Sequence, residues 1–134
     1  MPDRPNILLI MTEQHRGDCL GIEGHPCLLT PNMDSIGAGG ARFTNNFCNS
    51  PVCVSSRVCV LTGLYPEDTG VYNNEGAWPR FRLPRPLETF PRIFAEHGYR
   101  TANFGKVHVA RDLSARLDRH AAGAVEVPAD CLRR

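Results

Sequence analysis

The hydrophobic pattern of the chain switches between short continuous runs and helical spacings, as in a domain that alternates strands with helices. Asn6-Ile7-Leu8-Leu9-Ile10-Met11 is an unbroken apolar run between Pro5 and a polar cluster. It predicts a strand buried on both faces of a parallel sheet. The stretch from Thr30 to Ile36 predicts a short helix, with Thr30 as cap, Pro31 in the first turn, and Met33, Ile36 and Gly37 as its packing stripe. Gly39-Gly40 ends it, and residues 42–47 alternate as a second strand. From Ser50 to Gly63, Pro51 blocks any helix from upstream and Ser55-Ser56 offer capping hydroxyls. The apolar run from Arg57 to Leu61 is expected to be buried before Gly63 stops the helix.

Residues 64–70 read as a turn, and residues 72–86 as a long, Pro-rich irregular loop of the kind that borders functional sites. The next predicted helix covers residues 87–98, with Leu87, Phe90, Ile93, Phe94 and His97 near one face and Pro91 tolerable only in its first turn. Tyr99-Arg100-Thr101-Ala102-Asn103-Phe104 follows as a strand, with Gly105-Lys106-Val107-His108 at its carboxyl end. Beyond Arg111 the composition shifts to Arg, Ala and Asp, with a helix-like patch from Leu113 to Leu117. Two segments are therefore expected: 1–111 as a domain and 112–134 as a divergent tail.

Composition narrows the function classes. A chain of 134 residues makes one modest domain. A formal net charge of +1 gives no general attraction to nucleic acid or to an anionic membrane, so neither is an expected partner. The apolar positions 7–12 are too few for a secretory h-region or a membrane span, which places the chain in the cytoplasm. The six cysteines form no CxxC pair and no zinc-type grouping with histidine, so thiols are expected rather than disulfides or a metal knuckle.

Candidate chemistry falls at predicted strand ends and one helix start. Glu13 and Gln14 follow the first strand, where ligands gather in open α/β sheets, and offer hard oxygens to Ca²⁺ or Mg²⁺. Taken alone they also read as solvated polar residues. Cys53 falls at the mouth of the 50–63 helix, where backbone N–H groups and the helix dipole favour an anion. Its bland reading is a small core hydrophobe. Arg57, one turn on, can present its guanidinium fork to a tetrahedral oxyanion. Lys106 and His108 can supply a point charge and a proton-carrying ring, although a lysine and a histidine two apart are often surface residues. His25 reads as a surface histidine.

Cys53-Val54-Ser55-Ser56-Arg57, followed by Thr62-Gly63 and Tyr65-Pro66, resembles the signature of the type I sulfatases of the alkaline-phosphatase-like superfamily. The apolar run into Glu13-Gln14, Thr30-Pro31-Asn32-Met33-Asp34, and the run from Gly98 to His108 are similar to further motifs of that family in the same order. The resemblance spans Pro5 to Arg111. It implies the N-terminal portion of an alkaline-phosphatase-like, mostly parallel α/β sheet flanked by helices, and hydrolysis of a small-molecule sulfate ester. It further implies formylglycine formed from Cys53 as nucleophile, with Arg57 stabilising it and Lys106 and His108 on the sulfate. Glu13, Gln14 and residue 53 would hold a divalent cation, Ca²⁺ ahead of Mg²⁺ or Mn²⁺. Asn73, Asn74 and Trp78 would border the leaving group, with Thr30 to Asp34 as scaffold.

The chain departs from the family pattern at Glu13, where Asp is usual, and at Ser55, where Pro or Ala is usual. The family's second half, with further metal and sulfate ligands, has no counterpart here, so a C-terminal partner portion is implied. Two alternatives stand beside the sulfatase reading: a phosphonate or phosphate monoester hydrolase on the same scaffold, and a non-catalytic remnant or one half of a split enzyme.

Overall fold

A computed structural model describes residues 4–78 and 81–109, Leu113, and the backbone of residues 120–121. It divides into two compact units, Met1–Asn46 and Phe47–Arg134.

The first unit is organised by one carboxylate. Helix α1 (Pro31–Gly39) starts after Thr30, with proline in its first turn where a missing N–H costs nothing. Thr30 does not cap the helix with its side chain. Its hydroxyl instead donates to Asp34 Oδ1 at 2.7 Å and accepts from the Gly21 amide at 2.8 Å. Asp34 Oδ1 also accepts from the Ile22 amide at 3.0 Å, which ties the 3-10 turn Gly21–Glu23 onto α1. A methyl on Gly21 would sit 2.5 Å from Asp34 Oδ2, so only glycine lets that turn approach so closely. The Thr30 and Asp34 pair thus acts as scaffold, as the sequence predicted.

Two predicted strands are absent from this unit. Residues 6–11 form no strand and their apolar side chains are exposed, Leu8 by 82%. Residues 42–47 form no strand either, and Phe43 is 80% exposed. The physical reason is the lack of a neighbour: a strand's backbone groups need a second strand beside them, and none of the described segments pairs with either run.

The second unit carries the buried core: Val54, Val58, Val71, Leu87, Val107, Val109 and Leu113. Fully burying one such side chain is worth about 1.5–3 kcal/mol. Helix α2 (Cys53–Thr62) buries Val54, Ser55, Val58 and Cys59, a stripe at i, i+1, i+4 and i+5 that faces this core. Gly63 closes the helix at φ 70°, its amide returning to the Cys59 carbonyl at 2.8 Å. Ser55 and Ser56 lie inside the helix rather than capping it, because the chain turns helical at Cys53, two residues earlier than a serine cap requires. The predicted turn after Gly63 contains a single helical turn, α3 (Pro66–Thr69), ended by Gly70 at φ 70°.

A 3-10 turn over Asn74–Ala77 then packs on α2, and the loop beyond is irregular as predicted where it is described. Helix α4 (Phe90–Glu96) is shorter than predicted, with Pro91 in its first turn. Thr89 precedes it with extended backbone, and residues up to that point stay outside the helix because Pro91 can occupy only the first turn. Of its predicted apolar face, Ile93 is 42% exposed. Of the strand predicted over residues 99–104 only β1 (Asn103–Phe104) forms; it pairs in parallel with β2 (His120–Ala121), two residues of the stretch predicted as a tail. The predicted helical patch from Leu113 to Leu117 lies outside the described residues except for Leu113, which is in the core.

Candidate active site

Cys53 is the first residue of α2 and is half-buried. The position follows from Pro51 and the extended Val52, which leave the helix to begin at the cysteine. Arg57, one turn on, lies over the same edge of the helix and is also half-buried. Its Nη1 donates to the Lys106 carbonyl at 2.7 Å, a bond across 49 residues. That bond ties the Cys53 helix to the Gly105-Lys106-Val107-His108 turn.

The turn is held from below as well as from the side. Val107 and Val109 are buried in the same core as Val54 and Val58, so the residues between and before them are carried toward the surface. Lys106 is exposed and His108 half-buried. His108 has φ 42°, a left-handed backbone that is unusual for a residue with a Cβ. Its Nδ1 is buried with no hydrogen-bond partner among the described residues. His108 thus combines a left-handed backbone with an unsatisfied buried nitrogen, two features that each cost stability.

The first turn of α2 is held by the segment that follows α3. The Val54 amide donates to Asn74 Oδ1 at 3.2 Å, and Ser55 Oγ donates to the Val71 carbonyl at 2.6 Å. Asn73 caps its own 3-10 turn, its side chain accepting from the Glu75 amide at 2.9 Å. Trp78 is exposed. The sequence marked Asn74 for a ligand contact and did not reveal that its carbonyl oxygen takes a helix amide. The available signal was the uncapped start of α2, since Val52 offers no side-chain acceptor and some other residue must serve. The described cysteines, Cys53 among them, are not disulfide-bonded, as expected from their spacing.

Glu13 and Gln14 lie in the first unit, exposed to solvent. Gln14 has φ 47°, and with His108 it is one of two non-glycine residues of positive φ among those described. The chemistry of Glu13 and Gln14 fits a hard cation, but two donors do not make a site when Ca²⁺ takes about six to eight oxygens. Among the described residues no three His, Cys, Asp or Glu side chains cluster as a metal site. No helix among the described residues is long and apolar enough to cross a membrane.

Comparison with known proteins agrees with these motifs. The family model "Sulfatase" matches residues 5–114. An ulvan-active sulfatase of Formosa agariphila is 39% identical over 108 residues, covering 81% of this chain and 20% of that protein. An arylsulfatase of Clostridium perfringens is 37% identical over 108 residues, 79% of this chain and 21% of that protein. Human arylsulfatase A is 39% identical over 107 residues, 78% of this chain and 21% of that protein. No solved structure matches significantly. The chain belongs to the sulfatase family, a class of sulfuric ester hydrolases with the alkaline-phosphatase-like α/β fold. It spans about a fifth of the length of the curated relatives it matches.

Proposed function

We propose that this chain carries the nucleophile-bearing part of a hydrolase of small-molecule sulfate esters, with Cys53 as the position of the nucleophile. The observation that carries the reading is the Arg57 to Lys106 bond, which joins two separate motifs of the family into one surface beside the N-terminus of α2. Sulfatases generally use a divalent cation and a formylglycine. When formed at position 53, the formylglycine supplies a hydrated aldehyde whose hydroxyl attacks sulfur.

The chain's own residues then bind and orient. Fixed on the Lys106 carbonyl through Nη1, Arg57 holds its guanidinium plane in a set direction beside the helix mouth, where its charge favours an oxyanion. The exposed ammonium of Lys106 attracts the sulfate. His108 meets the leaving oxygen with a ring nitrogen and moves a proton there. Glu13 and Gln14 contribute two oxygen ligands toward a divalent cation, Ca²⁺ ahead of Mg²⁺. The remaining ligands come from a C-terminal portion like the one that makes the relatives about four times as long as this chain. That portion also covers the exposed apolar run at residues 7–11.

The test is hydrolysis of 4-nitrophenyl sulfate by the chain matured in a formylglycine-competent host and supplied with a C-terminal sulfatase portion. Turnover that Cys53→Ala abolishes and Lys106→Ala reduces at least tenfold is expected. Turnover of 4-nitrophenyl phosphate in preference to the sulfate, or turnover indifferent to Cys53→Ala, would overturn the proposal.

A further inference from the structure

Helix α2 begins without a side-chain cap of its own, since Val52 stands at that position. Its first ladder bond runs from the Ser56 amide to the Val52 carbonyl at 2.8 Å, so the amides of residues 53–55 precede the ladder. Two consecutive residues of that turn reach the same distant segment. The Val54 amide is taken by Asn74 Oδ1, and the Ser55 hydroxyl is spent on the Val71 carbonyl. Ser55 is fully buried.

Independent packing evidence shows how closely the segment lies. A methyl on Gly76 would stand 2.7 Å from Val71 Cγ1 and 3.1 Å from Val54 Cγ1. The segment is therefore folded tightly on its own Val71 and seated close against Val54 in the first turn of α2.

We propose that Ser55 and Asn74 are positioning residues for the nucleophile: together they clamp the first turn of α2 so that residue 53 keeps a fixed place relative to Arg57. The inference rests on the reading of Cys53 as the nucleophile. It also accounts for Ser55 where the family pattern has Pro or Ala. Proline restrains its own φ and has no hydroxyl. Serine does not restrain the turn locally, and here its hydroxyl restrains it through a long-range bond. The Val71 carbonyl that receives the bond would otherwise be buried beside a side chain that cannot donate to it.

The clamp is read without turnover, by iodoacetamide labelling of the full chain with Cys53 kept as a thiol, each cysteine followed by peptide mass. Ser55→Ala is expected to speed Cys53 labelling about tenfold, the factor carried by one buried bond of this kind. Asn74→Ala is expected to speed it severalfold. Asn74→Asp keeps an acceptor for the Val54 amide and restores the parental rate. Cys59, in the same helix and buried, labels unchanged throughout. An unchanged Cys53 rate in both alanine variants would overturn the clamp. So would equal acceleration of Cys53 and Cys59, which reads as general loosening of the helix, or a failure of Asn74→Asp to restore the rate. In the matured hydrolase the clamp predicts that Ser55→Ala lowers kcat with KM unchanged. Because labelling needs no hydrolysis, failure of the clamp and failure of the sulfatase reading give different results.

Discussion

Gly76→Ala tests the packing of the Asn74–Ala77 turn against Val71 and against Val54 of α2. The added methyl would lie 2.7 Å from Val71 Cγ1 and 3.1 Å from Val54 Cγ1, inside the separations that carbon atoms tolerate. Both neighbours are fully buried valines, so neither can swing into solvent. Overpacking of this kind costs about 1–3 kcal/mol. With a urea slope of about 2 kcal/mol/M, a 2 kcal/mol loss moves the unfolding midpoint down by about 1 M. Val71→Ala alone deletes core methyls and leaves a cavity, at a cost of about 2 kcal/mol.

The double variant should be less destabilised than the two single variants added together. Removing Val71 Cγ1 relieves the tighter contact and leaves the Val54 contact to adjust by a few tenths of an ångström. The expected interaction energy is about 1–2 kcal/mol in the relieving direction. Urea unfolding of the four proteins measures it. A Gly76→Ala midpoint equal to that of the parent, or strict additivity in the double variant, would refute the close seating of this turn.

Three further outcomes follow from other parts of the second unit. Gly63→Ala meets nothing within 4 Å but must hold φ 70°, so it should cost about 1–2 kcal/mol in urea unfolding from backbone conformation alone. Burial, then the neighbouring Cys48 and Glu67, pushes the Cys59 thiol above its ordinary 9.0. The folded state therefore binds this proton more tightly, and the resulting stability is present below pH 9 and lost as pH rises through the folded value. The difference in unfolding midpoint between parent and Cys59→Val should shift above pH 9 and stay flat below it. Arg57→Ala leaves the Lys106 carbonyl without its Arg57 donor, and Arg57→Lys keeps the charge but loses the planar fork. In the matured hydrolase both should reduce kcat/KM at least tenfold, read as 4-nitrophenyl sulfate turnover.

What the sequence made legible was local. Pro51 and Gly63 bracket α2, Pro31 and Gly39-Gly40 bracket α1, and Pro91 marks the first turn of α4, because these residues act through their own φ and N–H. The placement of Cys53 at the helix start followed from the same rules. The strands predicted at 6–11 and 42–47 do not form, since apolar composition marks a segment that wants burial but does not supply its neighbours.

The site divides along the same line. The residue types at 53, 57, 106 and 108 were visible as motifs, whereas the bond that joins two of those motifs links a side chain to a backbone carbonyl and leaves no mark on composition. The same holds for Ser55, predicted as a cap and found buried against Val71. Its hydroxyl has the right chemistry for either role, and only the tertiary fold decides between them.

The most direct test of the account is the chemical state of residue 53. The full chain should be expressed in a host with formylglycine-forming activity and read by intact mass with peptide mapping across Cys53. The account predicts the loss of mass that accompanies conversion of thiol to aldehyde, confined to the peptide that holds Cys53 and absent from Cys48 and Cys59. An unmodified thiol at position 53 under conditions that mature a control sulfatase would contradict it.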